Sequence, residues 1–452
     1  MENTKSGAAA ATARDGFHSQ WGFILACIGS AVGMGNIWRF PIMVSKWGGM
    51  TFLLPYFLFV FLISRTGVIG EMAFGRAAGA GPIGAFGMAT KRYNGNERAG
   101  EALGLIPVIG SLALATGYSC VVGWIFKYTF MAFGGGLQAL GNDMDAIGGL
   151  FGGTASAMGN NTWIIIALIV NFVIMALGVA NGIEKANKFM MPTLFVLFVG
   201  LGVYVATLPG ALAGHRYIFT INPAGFADPR LYIYAFGQAF FSLSIAGNGT
   251  VIYGSYLAKT EDVPGSSKYV ALFDTMAAVI AALVILPAMA ASSVEPSSGG
   301  PGLMFIHLVN VFNGMKSGRI VSIVFYVCVL FAGLSSLINL YEAPVATLQE
   351  KFGMKRMTAV AVIAVTGILV AVGIQGIVSD WMDFVSNYLC PLGAFLAGFM
   401  FFWLCGKDFV MEQVNMGAKK PIGEWFYSLS KYAYCALAVI ALIAGVALGG
   451  IG

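Results

Sequence analysis

A hydrophobic stretch near the start of the chain mixes glycines with polar residues in a pattern suited to ion binding. Residues 29–41, GSAVGMGNIWRFP, place three glycines ahead of Asn36 and Arg39. Because glycine costs about 1 kcal/mol relative to alanine inside a helix, the pattern predicts a helix that breaks here. Carbonyl groups that end the first half-helix would face a cation, and amide groups that open the second would face an anion. Close helix packing is the alternative explanation for a glycine pair alone.

A later stretch places two hydroxyl groups on one helical face. Ala332, Ser335, Ser336, Asn339 and Leu340 have the spacing i, i+3, i+4, i+7 and i+8, which puts them on one stripe of a helix. Hydroxyl groups of this kind often bond only to carbonyl groups of their own helix. The surrounding string AGLSS, opposite a broken helix, favours the ligation of a small cation by oxygen.

Another hydrophobic segment is interrupted in the same way as the first. Residues 238–256, QAFFSLSIAGNGTVIYGSY, combine apolar residues with glycine, serine and asparagine. Two interrupted segments, each opening a group of five spans, are typical of inverted repeats that hold a binding site near the middle of the membrane.

The composition is that of a polytopic membrane protein. The 452 residues are 58% hydrophobic and 10% charged, with 61 glycines and a mean hydropathy of +0.81, values that a soluble domain of this length does not normally have. At about 20 apolar residues per span, about eleven spans fit, and they leave no room for a separate soluble domain. The six cysteines and three histidines have no paired or metal-binding spacing.

The spans and the basic residues together predict the topology. We expect spans at about 20–44, 51–79, 102–133, 162–180, 186–208, 231–258, 267–290, 318–348, 358–374, 380–404 and 425–449, with a loop around Lys91 to Arg98 and an extracellular loop over 134–160. Residues 1–18 form a cytoplasmic tail. About seventeen of the 25 basic residues then fall on the cytoplasmic side, as the positive-inside rule requires. These basic loops are topology signals and not a nucleic-acid surface.

The string GSAVGMGNIWRFP closely resembles the first-helix signature of the neurotransmitter:sodium symporter family, which contains the leucine transporter LeuT. The order and spacing of the motifs match over residues 14–407. The resemblance implies an all-α membrane protein of the LeuT fold with helices 1 and 6 unwound. Its inverted repeats would be 19–208 (helices 1–5) and 230–407 (helices 6–10), with an additional helix 11 at 424–450.

The resemblance also implies sodium-coupled symport by alternating access, with two sodium sites, no catalytic residue and no organic cofactor. The first sodium site would use Ala31, Asn36, Ser242 and Asp274. The second would use carbonyl groups of Gly29, Val32 and Ala332 with the hydroxyl groups of Ser335 and Ser336. The outer gate would pair Arg39 with Asp383, and the inner latch would join Arg14, Glu350, Ser255 and Tyr256. The substrate would contact Ala31, Met34, Gly35, Leu114, Tyr118, Phe241, Ser242, Ser244, Gly247, Ser336 and Leu340.

Departures from the family pattern limit the range of substrates that we expect. Amine-transporting relatives carry an aspartate where this chain has Gly33, so an α-amino acid, with its own carboxylate, is favoured. Leucine-transporting relatives have a bulky aromatic residue at the position of Gly247, which favours a larger hydrophobic or aromatic side chain. They have asparagine at the position of Asp274, and a fixed carboxylate there predicts transport that does not need chloride. Phe17 replaces a family tryptophan. Arg65 matches none of the motifs on which the resemblance rests, and a side chain that reaches toward the end of the span or pairs with an acid is its ordinary explanation.

Two other functions stay open at this stage. One is a sodium-coupled carrier of another small osmolyte or amine, and the other is a membrane sensor that binds an amino acid without moving it. An enzyme is disfavoured because no serine has a nearby histidine or lysine base. We expect the chain in the bacterial inner membrane, with the N-terminus cytoplasmic and the C-terminus outside. The lipid bilayer, sodium and an amino acid are its predicted partners, and a homodimer is an open alternative to a monomer.

Overall fold

The computed structural model describes residues 15–245, 248–292 and 300–450, which form helices and turns. The first helices are α1 Gln20–Ala31, α2 Gly35–Trp47, α3 Met50–Ala78, α4 Pro82–Asn94, α5 Glu97–Gly134, α6 Met144–Ala155, α7 Asn161–Ala176, α8 Val179–Ala206 and α9 Ala211–Ile218. They are followed by α10 Pro229–Ser242, α11 Gly249–Gly254, α12 Val263–Ala291, α13 Leu303–Asn313, α14 Gly318–Phe352, α15 Arg356–Gly373, α16 Gln375–Leu404, α17 Lys407–Asn415 and α18 Trp425–Leu448.

Within the described ranges, 8 helices are long and apolar enough to cross a membrane, and the bent pair α1 and α2 makes 9. The apolar helix α7 is shorter, with 16 residues. Helices α10 and α11 flank residues 246–247, which lie outside the described ranges. Counting α7 and the pair α10–α11 as spans gives the predicted total of about eleven, and that total stays a prediction.

The predicted break in the first span is present. Helix α1 ends at Ala31, Val32 has φ −71° and ψ 100°, and the chain bends by 57° between α1 and α2. Helix α2 opens with a wide π-helical turn at Gly35–Arg39 before the regular turns of Phe40–Trp47. The sequence of small residues therefore divides one membrane span into two half-helices, as such strings do in transporters of this type.

The predicted break in the sixth span is also present in the described residues. Helix α10 ends at Ser242, and α11 begins at Gly249. Between them Ser244 and Asn248 have φ values of +58° and +52°, a left-handed conformation that ends a helix. Gly247, which we predicted to enlarge the substrate pocket, lies outside the described residues.

Helices α5 and α14 pack along each other at the centre of the molecule. The most apolar stretch of α14 is 67% buried within the protein, whereas that of α15 is 28% buried. Helix α14 is therefore packed mainly among other helices, whereas α15 leaves more of its surface outside the helix bundle. A helix in that central position can bring its polar stripe to a binding site.

Two connections that we predicted as loops are helical. Helix α6 lies within 134–160, where Asp143 caps it by accepting hydrogen bonds from two backbone amides. Its Phe151 packs against Trp124 and Phe305, with ring centroids 5.4 and 5.2 Å apart. Helix α4 covers the basic segment that follows α3. Both are too short for the length criterion that identifies spans, so the sequence analysis missed them.

Candidate functional site

A cavity of about 210 Å³ lies where the two broken spans meet α5 and α14. Every predicted substrate residue that the structure describes lines it, namely Ala31, Met34, Gly35, Leu114, Tyr118, Phe241, Ser242, Ser244, Ser336 and Leu340. Residues that we did not predict line it as well, among them Gln238, which donates a hydrogen bond from Nε2 to the Gly35 carbonyl at 3.1 Å. The cavity is therefore lined both by the ends of half-helices and by side chains of unbroken helices.

One end of the cavity is formed by backbone amide groups and a phenol. The Met34 N–H donates to the Tyr118 hydroxyl at 3.0 Å. A Cβ atom placed on Gly33 would lie 2.9 Å from the Ser336 Oγ and 3.0 Å from the Tyr118 Oη. A side chain at residue 33 would therefore crowd Ser336 and Tyr118. The Met34 amide and the Tyr118 hydroxyl, beside the start of α2, suit an anionic group.

Three of the four residues predicted for the first sodium site, Asn36, Ser242 and Asp274, come together at the buried side of this cavity, and the fourth, Ala31, lines the cavity. The Asn36 Nδ2 donates to Asp274 Oδ1 at 2.8 Å and to Ser242 Oγ at 3.1 Å. The Ser242 hydroxyl donates to Asp274 Oδ2 at 2.7 Å. Asp274 is fully buried, so this cluster puts a carboxylate inside the protein without a basic partner among the described residues. A carboxylate buried without a basic partner is stabilised when a cation binds beside it.

The predicted residues of the second sodium site meet where α1 crosses α14. The Ser336 Oγ lies 3.2 Å from the Gly29 carbonyl oxygen and 3.3 Å from that of Val32. One residue earlier, the Ser335 hydroxyl donates to the Ala332 carbonyl at 3.1 Å. The arrangement offers carbonyl and hydroxyl oxygens only, which are the ligands that small hard cations prefer.

An asparagine that the sequence analysis missed borders this second cluster. Asn187 of α8 is fully buried, and its Oδ1 has no hydrogen-bond partner among the described residues. A Cβ atom placed on Gly29 would lie 2.0 Å from that oxygen and 2.8 Å from the Ser335 Cβ. Gly29 is therefore required for the close approach of α1 to α8 and α14. Asparagine within an apolar span was the available signal.

The outer end of the cavity reaches Arg39, Met382 and Ser386. The Arg39 Nη1 is buried and has no hydrogen-bond partner in the described part of the chain. Among the ion pairs within 4.0 Å that the described residues form, Arg39 and Asp383 do not form one. Their role as an outer gate stays a prediction.

On the side predicted to face the cytoplasm, a network includes two residues absent from our prediction. The Tyr256 hydroxyl donates to Glu342 Oε1 at 2.6 Å. Arg356 donates to both oxygens of Glu342, at 2.8 and 2.9 Å, and Glu342 is fully buried. A glutamate in an apolar helix was the signal for this network, but its partner on α15 could not be read from spacing.

The other described members of the predicted inner latch have contacts of their own. Glu350 accepts hydrogen bonds from the Gly81 N–H at 3.0 and 3.1 Å, and Arg14 lies outside the described residues. The Ser255 hydroxyl donates to the Ile252 carbonyl at 2.6 Å. Phe17 packs edge-on against Tyr253, with ring centroids 5.6 Å apart. The Phe17 ring therefore adds an apolar contact on this side of the protein.

The fold and the cavity between broken helices define the class of protein, a polytopic membrane protein built like secondary transporters. A crystal structure of MhsT in complex with L-phenylalanine matches this chain with a TM-score of 0.83 and 31% sequence identity, over 96% of this chain and 100% of that chain.

The profile of the Sodium:neurotransmitter symporter family matches residues 14–139 and 151–448. The uncharacterized sodium-dependent transporter YhdH of Bacillus subtilis is 32% identical over 446 residues, which cover 94% of this chain and 96% of that protein. The uncharacterized sodium-dependent transporter MJ1319 of Methanocaldococcus jannaschii is 30% identical over 92% of this chain and 87% of its own length. The chain belongs to the sodium:neurotransmitter symporter family. This confirms the predicted family and LeuT-type fold, and it identifies a sodium-dependent transporter rather than an enzyme.

Proposed function

We propose that the protein is a sodium-coupled symporter that moves an α-amino acid with a hydrophobic or aromatic side chain by alternating access, without chloride. The observation that carries this proposal is the position of the Asn36–Ser242–Asp274 cluster beside the amide and phenol donors of Met34 and Tyr118. A substrate carboxylate at those donors would be next to a sodium ion held by the cluster. Each charge would stabilise the other, so substrate and ion would bind together.

The proposed stoichiometry supplies enough energy for accumulation. One charge that crosses 100 mV contributes about 2.3 kcal/mol. Two sodium ions that enter with a zwitterion contribute roughly 4.6 kcal/mol before any sodium gradient is counted, which corresponds to more than a thousandfold accumulation.

The lining of the cavity supports a hydrophobic side chain. Leu114, Val121, Phe241, Leu340 and Met382 contribute apolar surface to the cavity. The related protein MhsT was crystallised with L-phenylalanine, which fits the same proposal. An osmolyte or amine without a carboxylate would leave the donors of α2 unmatched, and Gly33 supplies no acid for an amine.

Equilibrium binding to the purified protein tests the proposal. We expect radiolabelled L-phenylalanine to bind in sodium and not in potassium, and aliphatic and aromatic amino acids to compete better than glycine. Tyr118→Phe removes the phenol that faces Met34 and should weaken binding at least roughly tenfold, since a lost charge-assisted hydrogen bond costs about 1.5–3 kcal/mol. Tyr128→Phe, on the same helix, is the matched control and should bind within about twofold of the parent.

Two results would argue against the proposal. Equal binding of L-phenylalanine in sodium and in potassium would show that binding at the substrate site is not coupled to sodium. A competition series in which glycine or alanine displaces the ligand better than every aromatic amino acid would remove the assignment of a large side chain, while sodium-dependent binding would still stand.

A further inference from the structure

A second cavity, of about 530 Å³, lies among the starts of α1 and α12, the middle of α3 and the segment that precedes α18. Its lining contains four basic residues, Arg65, Lys268, Lys419 and Lys420, and one acidic residue, Asp262. Arg65 is the residue that matches none of the family motifs. This cavity is separate from the transport site, since none of its lining residues borders the cavity between the broken helices.

The basic side chains of this cavity are not neutralised by the protein. Within the described residues, no ion pair within 4.0 Å or hydrogen bond involves the charged group of Arg65, Lys268, Lys419 or Lys420. The Asp262 carboxylate caps α12, because its Oδ1 accepts a hydrogen bond from the Gly265 N–H at 3.1 Å. Four basic side chains thus line a cavity whose one carboxylate already caps α12.

The backbone holds Arg65 at the level of the first turns of α12. The Ser267 hydroxyl donates to the Ser64 carbonyl at 2.6 Å, and Lys268 is the next residue along α12. The guanidinium of Arg65 lies over the ring of Phe61, 5.6 Å from its centroid. Lys268 lies five residues after the start of α12, and the Ser64–Ser267 contact brings Arg65, in the middle of α3, to the same level.

Exposed aromatic and apolar residues frame the opening of the cavity. Trp21 and Tyr269 have ring centroids 5.3 Å apart and are 53% and 41% exposed. Leu58 and Phe61, each 62% exposed, precede Arg65 on the same stripe of α3. Tryptophan and tyrosine gather at the boundary between hydrocarbon and headgroups, and exposed leucine and phenylalanine on a span face acyl chains.

We propose that this cavity binds an anionic phospholipid of the leaflet that faces Lys419 and Lys420. The headgroup phosphate occupies the space beside Arg65 and Lys268, the two lysines of the segment before α18 supply further positive charge, and the acyl chains follow the Leu58–Phe61 stripe. Basic pockets between spans on the cytoplasmic side suit such headgroups. The assignment to the cytoplasmic leaflet rests on the predicted orientation, but binding of the lipid does not.

Native mass spectrometry of the full chain in detergent tests this proposal. Titration with dioleoyl phosphatidylglycerol should add one lipid per chain at concentrations where dioleoyl phosphatidylcholine adds none. Arg65→Gln combined with Lys268→Gln should lower the apparent affinity for phosphatidylglycerol at least tenfold. Arg65→Lys keeps the charge and should bind the lipid within about threefold of the parent.

The matched control removes one arginine and one lysine elsewhere. Arg98→Gln combined with Lys185→Gln changes the net charge equally at residues that are exposed and outside the cavity, and it should leave lipid binding unchanged. Sodium-dependent binding of L-phenylalanine checks that each variant is folded and separates a failure here from a failure of the proposed transport site.

Three outcomes would overturn the proposal. The first is an equal loss of lipid binding in the control pair, which would indicate diffuse attraction. The second is equal binding of phosphatidylcholine, which needs no anionic headgroup. The third is displacement of the lipid by inorganic phosphate at an equal concentration, which would indicate a site for a free anion.

Discussion

Two glycines determine how closely the first broken span approaches its neighbours. At Gly29 a methyl group would overlap the Asn187 Oδ1, and at Gly33 it would crowd Ser336 and Tyr118. Neither glycine is needed for a left-handed backbone, because neither has a positive φ. Gly29 allows the close approach of α1 to Asn187 and Ser335, and Gly33 allows the close approach of the break to Ser336 and Tyr118.

Gly29→Ala should therefore damage the second sodium site. Crowding in a packed interior costs about 1–3 kcal/mol, so we expect the apparent sodium affinity to fall roughly 5- to 150-fold. Gly152→Ala on α6 meets no atom within 4 Å and is the control. Sodium titration of substrate binding measures both variants. Unchanged sodium affinity in Gly29→Ala would contradict the placement of the site.

Asp274→Asn tests the source of the negative charge at the first sodium site. The buried carboxylate accepts hydrogen bonds from Asn36 and Ser242, and its removal leaves a bound sodium ion without a fixed counter-charge. We expect binding in gluconate to fall at least tenfold and chloride to restore part of it, whereas the parent should be indifferent to chloride. A variant that chloride does not affect would count against this role.

Most residues of the two predicted sodium sites stand in a glycine-rich string or on one helical stripe, whereas Asp274 of α12 came from the family resemblance alone. Asn36, Ser335 and Ser336 were placed by spacing and by the family resemblance. Asn187 and Gln238 were missed, because their contacts join helices that are far apart in sequence. Such contacts depend on how helices tilt and pack, which no local pattern records.

At the scale of elements, α14 links the substrate cavity to the inner closure. Its residues Ser335 and Ser336 belong to the second oxygen cluster, and two turns later Glu342 binds Arg356 and Tyr256. A helix that carries both groups can couple occupancy of the cation site to the state of the inner closure. The breaks at Val32 and at Ser244 were predictable from glycine-rich strings, whereas α4 and α6 were not, since short helices in connections lack the length signal of a span.

Glu342→Gln should weaken the inner closure. Loss of one partner from a buried ion pair costs about 3–5 kcal/mol, so we expect the apparent unfolding temperature to fall on the order of 5 °C. Lys91→Gln in the exposed pair with Glu97 is the control, and it should change stability little. Thermal unfolding followed in sodium measures both, and equal shifts would contradict a special role for Glu342.

At the scale of the whole molecule, the proposed topology predicts which loops face each side of the membrane. The six native cysteines are buried, so a single exposed cysteine reports its own position. With the N-terminus inside, a membrane-impermeant maleimide added to intact cells should label Asp145→Cys in the predicted outer loop and leave Lys420→Cys unlabelled until the cells are opened. Labelling of Lys420→Cys in intact cells would contradict the proposed orientation and the leaflet of the lipid site.

The most direct test of the account is accumulation of labelled L-phenylalanine by proteoliposomes under an inward sodium gradient. We predict uptake above the external concentration that is lost when potassium replaces sodium, collapses when the gradient is removed, and persists when gluconate replaces chloride. Saturable sodium-dependent binding without accumulation would contradict sodium-coupled transport. It would indicate instead that a protein of this fold senses its ligand without moving it.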